Sequence, residues 1–336
     1  MRVAVYSHQR YERPYLEAAA SRHGVELVLI EAALSPLTAT LSRDCLAASI
    51  FVGDDASEAT LRALVAGGTR LVALRCSGFN NVDLAAAERL GIAVARVPAY
   101  SPHAVAEHSI ALMLALNRKV HRAFNRVREQ DFSLDGLMGF DMHGKTVGII
   151  GTGEIGSVSC RILAGFGCRV VAHDPRPNPR CAGIGVQYVG LPELFRDSDI
   201  VSLHCPLNPA THHLIGADAL AAMRPGVMII NTSRGAVIDT RALIRALKGG
   251  HVGSVGLDVY EEEGDLFFRD LSESVIQDDV FVRLMTFPNV LITAHQAFLT
   301  HEACTAIAQT TLGNVMAFRD GRLPPSNAVD TRMIAR

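Results

Sequence analysis

Thr146-Val147-Gly148-Ile149-Ile150-Gly151-Thr152-Gly153-Glu154-Ile155-Gly156 is the stretch on which the reading of this chain turns. Thr146 to Ile150 is an apolar, β-branched run that predicts a buried strand, and Ile155 to Ala164 predicts a helix. Between them stands G-x-G-x-x-G. In that setting each glycine does something different. Gly151 allows the tight turn, Gly153 lets backbone N–H groups approach a pyrophosphate, and Gly156 lets the helix pack closely on the strand. The anion sits at the helix N-terminus, where unpaired N–H groups and the helix dipole favour negative charge. Read blandly, the glycines only mark a loop. Against that, Asp174 lies 18 residues past Gly156 and closes a second strand, Arg169 to Ala172. A carboxylate there accepts hydrogen bonds from an adenosine ribose and repels a 2′-phosphate, which predicts NAD rather than NADP. Arg176, two residues on, is the one feature that could accommodate such a phosphate.

Outward from this unit the same alternation recurs. Downstream, Ile200 to Leu203, Val227 to Ile230, Ser254 to Leu257 and Val290 to Thr293 predict strands, with helices at Ala217 to Met223 and Thr240 to Leu247. Upstream, strands at Val3 to Tyr6, Val25 to Ile30, Ile50 to Val52, Leu71 to Leu74 and Ile92 to Val97 alternate with helices at Pro14 to Arg22, Ser57 to Ala66 and Asn81 to Leu90. Alternating strands and helices build parallel sheets covered by helices. One long helix is predicted from Ala104 to about Arg128, so apolar in its first half that it must be buried in its own domain or against a second subunit. Residues 131 to 143 read as an irregular connection.

Composition narrows the function classes. The 336 residues suit about two domains. The 32 basic and 34 acidic residues nearly cancel, so nothing draws the chain to nucleic acid or an anionic membrane. The opening apolar run ends at Tyr6, too soon for a signal peptide, and the longest plainly apolar stretch, Ile110 to Leu116, is far short of a membrane span. A cytoplasmic location is expected. Seven cysteines without a CxxC pair predict reduced thiols rather than a disulfide framework. Thirteen histidines include no HExxH pattern, and the neighbours His212 and His213 read as solvated or core residues, so no metal is expected.

Open α/β sheets bind ligands beyond the carboxyl ends of their strands, and three such ends carry chemistry. Asn231-Thr232-Ser233-Arg234-Gly235 offers an arginine whose planar fork can grip a carboxylate with two parallel bonds, although a lone arginine is more often a surface residue. Asp258-Val259-Tyr260-Glu261-Glu262-Glu263 offers carboxylates among which composition does not choose. Ala294-His295-Gln296-Ala297 offers a histidine. A carboxylate beside it favours the imidazolium, and such a pair is a general acid for carbonyl reduction and a base for the reverse.

Together these segments resemble the D-isomer-specific 2-hydroxyacid dehydrogenases. The likeness extends over nearly the whole chain, because Arg75-Cys76-Ser77-Gly78-Phe79-Asn80-Asn81-Val82-Asp83 and Val97-Pro98-Ala99-Tyr100-Ser101-Pro102 are also similar to family segments. Tyr100, Asp265-Leu266-Phe267-Phe268 and Gln296-Ala297-Phe298-Leu299-Thr300 resemble the pyruvate-reducing, D-lactate-forming members. The resemblance implies an α/β fold of two Rossmann-like or flavodoxin-like parallel-sheet domains with an active-site cleft between them. Residues 1–99 and 299–336 would form a discontinuous substrate domain and residues 100–298 the NAD-binding domain, hinged near Tyr100 and Phe298.

It further implies that Arg234 clamps the substrate carboxylate, that His295 is the acid/base and that Glu263 holds it charged. Backbone around Ser77 and Gly78 would complete the carboxylate site, with Tyr100 and Phe298 closing on the methyl group. Gly151, Gly153, Glu154, Ile155, Gly156, Asp174, Cys205, Pro206, Thr232, Ser233 and Asp258 would line NAD, with Asp258 near the carboxamide. Cys205 departs from the apolar residue that many relatives carry there. Pyruvate and D-lactate are the implied substrate pair, and a homodimer or dimer of dimers, joined through Ala104 to Leu116, the implied assembly. Two alternatives stand: another 2-keto acid such as hydroxypyruvate or glyoxylate, or a non-enzymatic NAD-sensing protein of corepressor type.

Overall fold

The computed structural model describes residues 1–333. The chain forms two compact units, Met1–Ser101 with Leu299–Arg336, and Pro102–Phe298. Within the expected 299–336 segment, residues 334–336 lie outside the described residues.

The first unit begins β1 (Arg2–Val5), α1 (Arg13–His23), β2 (Glu26–Leu29), β3 (Ala47–Ile50), α2 (Glu58–Ala66), β4 (Leu71–Leu74), α3 (Leu84–Leu90) and β5 (Ala93–Ala95). The second holds α4 (Pro102–Arg118), α5 (Val120–Arg128), β6 (Thr146–Ile150), α6 (Glu154–Gly165), β7 (Arg169–His173), α7 (Pro179–Ala182), β8 (Gln187–Tyr188), α8 (Leu191–Asp197) and β9 (Ile200–Leu203). It continues through α9 (Ala217–Ala222), β10 (Val227–Asn231), α10 (Thr240–Lys248), β11 (Val252–Leu257), α11 (Asp279–Met285) and β12 (Val290–Ile292). The chain then returns to the first unit as α12 (His301–Arg319) and β13 (Ala328–Val329).

In the first unit the strand order is β13-β5-β4-β3-β1-β2, parallel except for β13, which runs antiparallel to β5. Its five parallel strands have the flavodoxin-like order. β3 and β4 are buried along their whole length, as expected of strands covered on both faces. Local chemistry sets the helix ends: Asp83 caps α3 by accepting the Ala86 N–H at 2.9 Å, and Thr300 caps α12 through Ala303 at 3.2 Å. Two expected boundaries move for such reasons. The Asp83 cap delays α3 from 81 to 84, and Asp54 draws the Phe51 N–H into a turn at 2.6 Å, so β3 ends at Ile50 instead of extending over 50 to 52.

The second sheet is wholly parallel, in the order β12-β11-β10-β9-β6-β7-β8. Chain direction across the sheet reverses at β6, whose neighbours are β7 and β9. Open sheets of this kind bind ligands at that switch point, and the glycine segment follows β6 directly.

The single helix expected over 104–128 is two helices. Lys119 takes the left-handed conformation at φ +50° and separates α4 from α5. Buried Asn117 ties the end of α4 to the following arm, donating to the Phe140 carbonyl at 2.7 Å and accepting its N–H at 2.8 Å. No glycine or proline announces this break. It turns Val120, Phe124 and Val127 outward, where all three are exposed.

Candidate active site

The glycine segment is held by contacts that only glycine permits. Gly151 has φ +94°, and a Cβ on Gly156 would fall 1.9 Å from the Gly151 carbonyl oxygen. A Cβ on Gly153 would meet nothing within 4 Å, so its backbone faces open space. Thr152 then locks the turn to the end of β7: its N–H and hydroxyl donate to Asp174 Oδ2 at 2.7 and 3.2 Å, while Oδ1 accepts the Arg176 N–H at 2.8 Å. Tyr188 on β8 donates its hydroxyl proton to Thr152 Oγ1 at 2.9 Å and brings the third strand into the network. Glu154 is exposed and Ile155 half-buried at the opening of α6.

These residues fit a dinucleotide. Among the described residues the α6 N-terminus is capped by no side chain, a carboxylate stands at the end of β7, and the buried hydroxyl of Thr232 at the end of β10 has no partner. Cys205 is buried, which pushes its thiol up to about 11, so it behaves as a small neutral group beside the glycine turn. Pro206, next to it, is exposed.

Sequence reading missed His204. Its backbone carbonyl lies 2.8 Å from where a Gly151 Cβ would stand, its ring is hydrogen-bonded to Ser202 at 2.9 Å, and burial lowers it to about 4. The ring is therefore neutral at physiological pH.

Arg234 follows β10 and is fixed at its base. Asn231 accepts the Ser233 N–H and hydroxyl at 3.0 and 2.8 Å and donates to the Arg234 carbonyl at 2.9 Å. A Cβ on Gly235 would stand 2.0 Å from the Tyr260 carbonyl carbon, so this turn lies flat on the segment after β11. The guanidinium donates through Nη1 to the Ser233 carbonyl at 2.7 Å, and no carboxylate among the described residues pairs with it.

The structure selects among the three glutamates. Glu263 Oε1 lies 2.7 Å from His295 Nδ1, and its Oε2 accepts the Tyr260 N–H at 3.0 Å. Glu261 instead pairs with His213 at 2.6 Å and accepts from Thr240 at 3.0 Å. His212, His213 and Glu261 bring ligand-type atoms within 4.8 Å of one another, but the two rings stack at 4.0 Å with planes 27° apart. His213 is hydrogen-bonded to Glu261, and His212 is its stacked neighbour.

Asp258 serves in a way the resemblance does not foretell. Its buried carboxylate accepts the Thr293 hydroxyl at 2.5 Å and the Gln296 and Ala297 N–H groups at 2.9 Å each. It is bound into the turn that carries His295. Phe268 sits against the imidazole, ring centroids 5.8 Å apart.

In the first unit, Arg75 is buried with its guanidinium paired to Glu12 at 3.1 Å and donating to the Tyr6 carbonyl at 2.7 Å. This anchors the segment entering Ser77 and Gly78. Arg96 holds the Ser77 carbonyl at 3.0 Å, and the Cys76 thiol donates to the Gly78 carbonyl at 3.2 Å. Tyr100 and Phe298 are half-buried near the ends of their respective units.

Comparison with known proteins places this arrangement. Residues 110–297 match the family profile described as D-isomer specific 2-hydroxyacid dehydrogenase, NAD binding domain. The chain is 53% identical to D-lactate dehydrogenase of Escherichia coli K12 over 98% of its own length and 100% of that protein. Among solved structures, a pyruvate reductase of Chlamydomonas reinhardtii superposes with a TM-score of 0.91 at 44% identity, covering 96% of this chain and 97% of the other. D-lactate dehydrogenase of Aquifex aeolicus, complexed with NAD and lactic acid, does so with 0.87 at 32% identity over 97% and 98%.

Proposed function

The chain belongs to the D-isomer-specific 2-hydroxyacid dehydrogenases, and from that premise we propose that it interconverts pyruvate and D-lactate with NADH and NAD⁺. The observation that carries the reading is the 2.7 Å pair between Glu263 and His295 Nδ1, and a strand end of the same sheet carries Arg234, which has no carboxylate partner among the described residues. Glu263 accepts from Nδ1, so Nε2 is the ring atom left to give or take the substrate proton. Bound NADH supplies the hydride to the keto carbon. His295 Nε2 protonates the keto oxygen as the alcohol forms, and Glu263 stabilises the imidazolium that precedes it. Arg234 grips the substrate carboxylate with its fork and polarises the keto oxygen. Gly151, Gly153, Gly156, Asp174, Thr232 and Ser233 hold the cofactor. By the same family likeness, the side chain of Phe298 lines the substrate site.

Initial rates with pyruvate, hydroxypyruvate, glyoxylate and a branched 2-keto acid, each with NADH and NADPH, test the reading. Pyruvate with NADH should give the highest kcat/KM. A different preferred acid replaces the substrate, and tight NADH binding without turnover on any acid replaces the enzyme with a sensor.

A homodimer is part of the proposal. Ile110, Leu112, Met113 and Leu116 of α4, the helix expected to join subunits, are buried within their own unit, while Ala111 on it is exposed. Val120, Phe124 and Val127 on one side of α5 and Phe132, Leu134 and Met138 on the arm after it are exposed instead. Grouped exposed apolar residues of this kind mark association surfaces. Sedimentation at the mass of one 36.1 kDa chain would refute it. A reducing cytosolic setting suits seven free cysteines, and among the described residues no helix is long and apolar enough to cross a membrane.

A further inference from the structure

His295 is held at φ +53°, a left-handed conformation that a residue with a side chain keeps only where its surroundings enforce it. Two features of Asp258 enforce it. Its backbone carbonyl accepts the His295 N–H at 2.7 Å, and its carboxylate, on a residue 1% exposed, accepts the next two N–H groups of the turn. The Thr293 hydroxyl is the third donor to that carboxylate, at 2.5 Å.

Behind Thr293 stands His108 of α4, with Nε2 3.0 Å from Thr293 Oγ1 and 3.4 Å from Asp258 Oδ1. A threonine hydroxyl has one proton and an ionised carboxylate has none. The Thr293 proton goes to Asp258, so Oγ1 faces His108 as an acceptor and Nε2 carries a hydrogen. The result is a directed chain, His108 donating to Thr293 and Thr293 to Asp258, whose carboxylate also accepts the two N–H groups that follow His295.

We propose that His108 is a positioning residue for proton transfer. Its N–H completes the shell of Asp258 and so fixes the turn that aims the His295 ring, without touching substrate. An apolar side chain on α4 would fill the same space but leave Thr293 with an unmet acceptor and Asp258 with one partner fewer, which loosens the turn at the point where aim matters. This rests on the dehydrogenase reading of the site.

The test compares His108→Leu, which keeps bulk and removes the donor, with His108→Gln, which restores an N–H near Nε2. Misplacing a reacting group by about 1 Å can cost roughly a hundredfold, and a partial loosening should lower kcat about tenfold in the Leu variant. NADH affinity and Tm should stay near wild type, and Gln should recover most of the rate. Wild-type turnover in the Leu variant, or a Gln variant no better than Leu, overturns the proposal. Hydrogen exchange of the peptide spanning 293–298 gives an answer independent of substrate. Faster exchange there in Leu but not in Gln supports the chain of donors, and equal exchange refutes it. A wild-type protein that reduces no 2-keto acid counts against the dehydrogenase reading alone, and the exchange result then decides whether His108 holds the turn.

Discussion

The glycine turn after β6 and the histidine turn after β12 both project from strand ends of one sheet, yet they are built in opposite ways. The first is nearly self-contained: strand, three glycines and helix lie within Thr146–Gly165, and its main outside supports are Asp174 and the backbone at His204 and Cys205. The second is assembled at long range. His295 depends on Glu263, Asp258, Thr293 and, behind them, His108, which lies 185 residues before its hydrogen-bond partner. A site made of backbone shape is encoded locally and tolerates little at the glycines. A site made of side-chain aim is encoded across the chain and fails by degrees.

The largest effect that separates the two regions is chemical. His295→Ala should lower kcat by roughly 10² to 10⁴, the range for loss of a general acid, while NADH titrates as in wild type. Turnover close to normal would remove His295 from its role. Gly156→Ala should do the reverse. Its methyl would stand 1.9 Å from the Gly151 carbonyl oxygen, so the turn must open and NADH binding should weaken by at least about tenfold, the change given by about 1.4 kcal/mol. Unaltered NADH affinity in a folded Gly156→Ala protein would show that the turn does not need its close packing.

This contrast also explains what was legible in the sequence. The three glycines, Asp174 and the parallel strands could be read because each depends on neighbours in sequence: a φ only glycine favours, a carboxylate at a strand end, a β-branched run. The choice of Glu263 over Glu261 and Glu262 could not be read from the residues alone, because it depends on where β11 and β12 place their following loops. Family likeness supplied it, and the 2.7 Å contact with His295 gives the geometry behind it. His108 stayed hidden on an apolar helix whose pattern speaks only of burial. The break at Lys119 left no trace because a tertiary bond pair at Asn117, rather than a helix-breaking residue, accompanies it.

The smallest of these effects tests whether the glycine turn has a weak point of its own. Burial holds His204 near 4 against an ordinary value of 6.5. Between those values the unfolded chain binds a proton that the folded chain refuses. Stability therefore rises with pH across this window and is lost as pH falls from about 6.5 toward 4. At about 1.4 kcal/mol per pH unit the loss is at most on the order of 3 kcal/mol. Below the folded value no further loss comes from this group. His204→Gln keeps a hydrogen-bonding side chain near Ser202 and cannot charge, so its Tm should decline less steeply than wild type over that window, while the two curves run parallel above pH 7. Parallel curves throughout would mean that the ring protonates without cost, and the glycine turn would then be supported by backbone contacts alone.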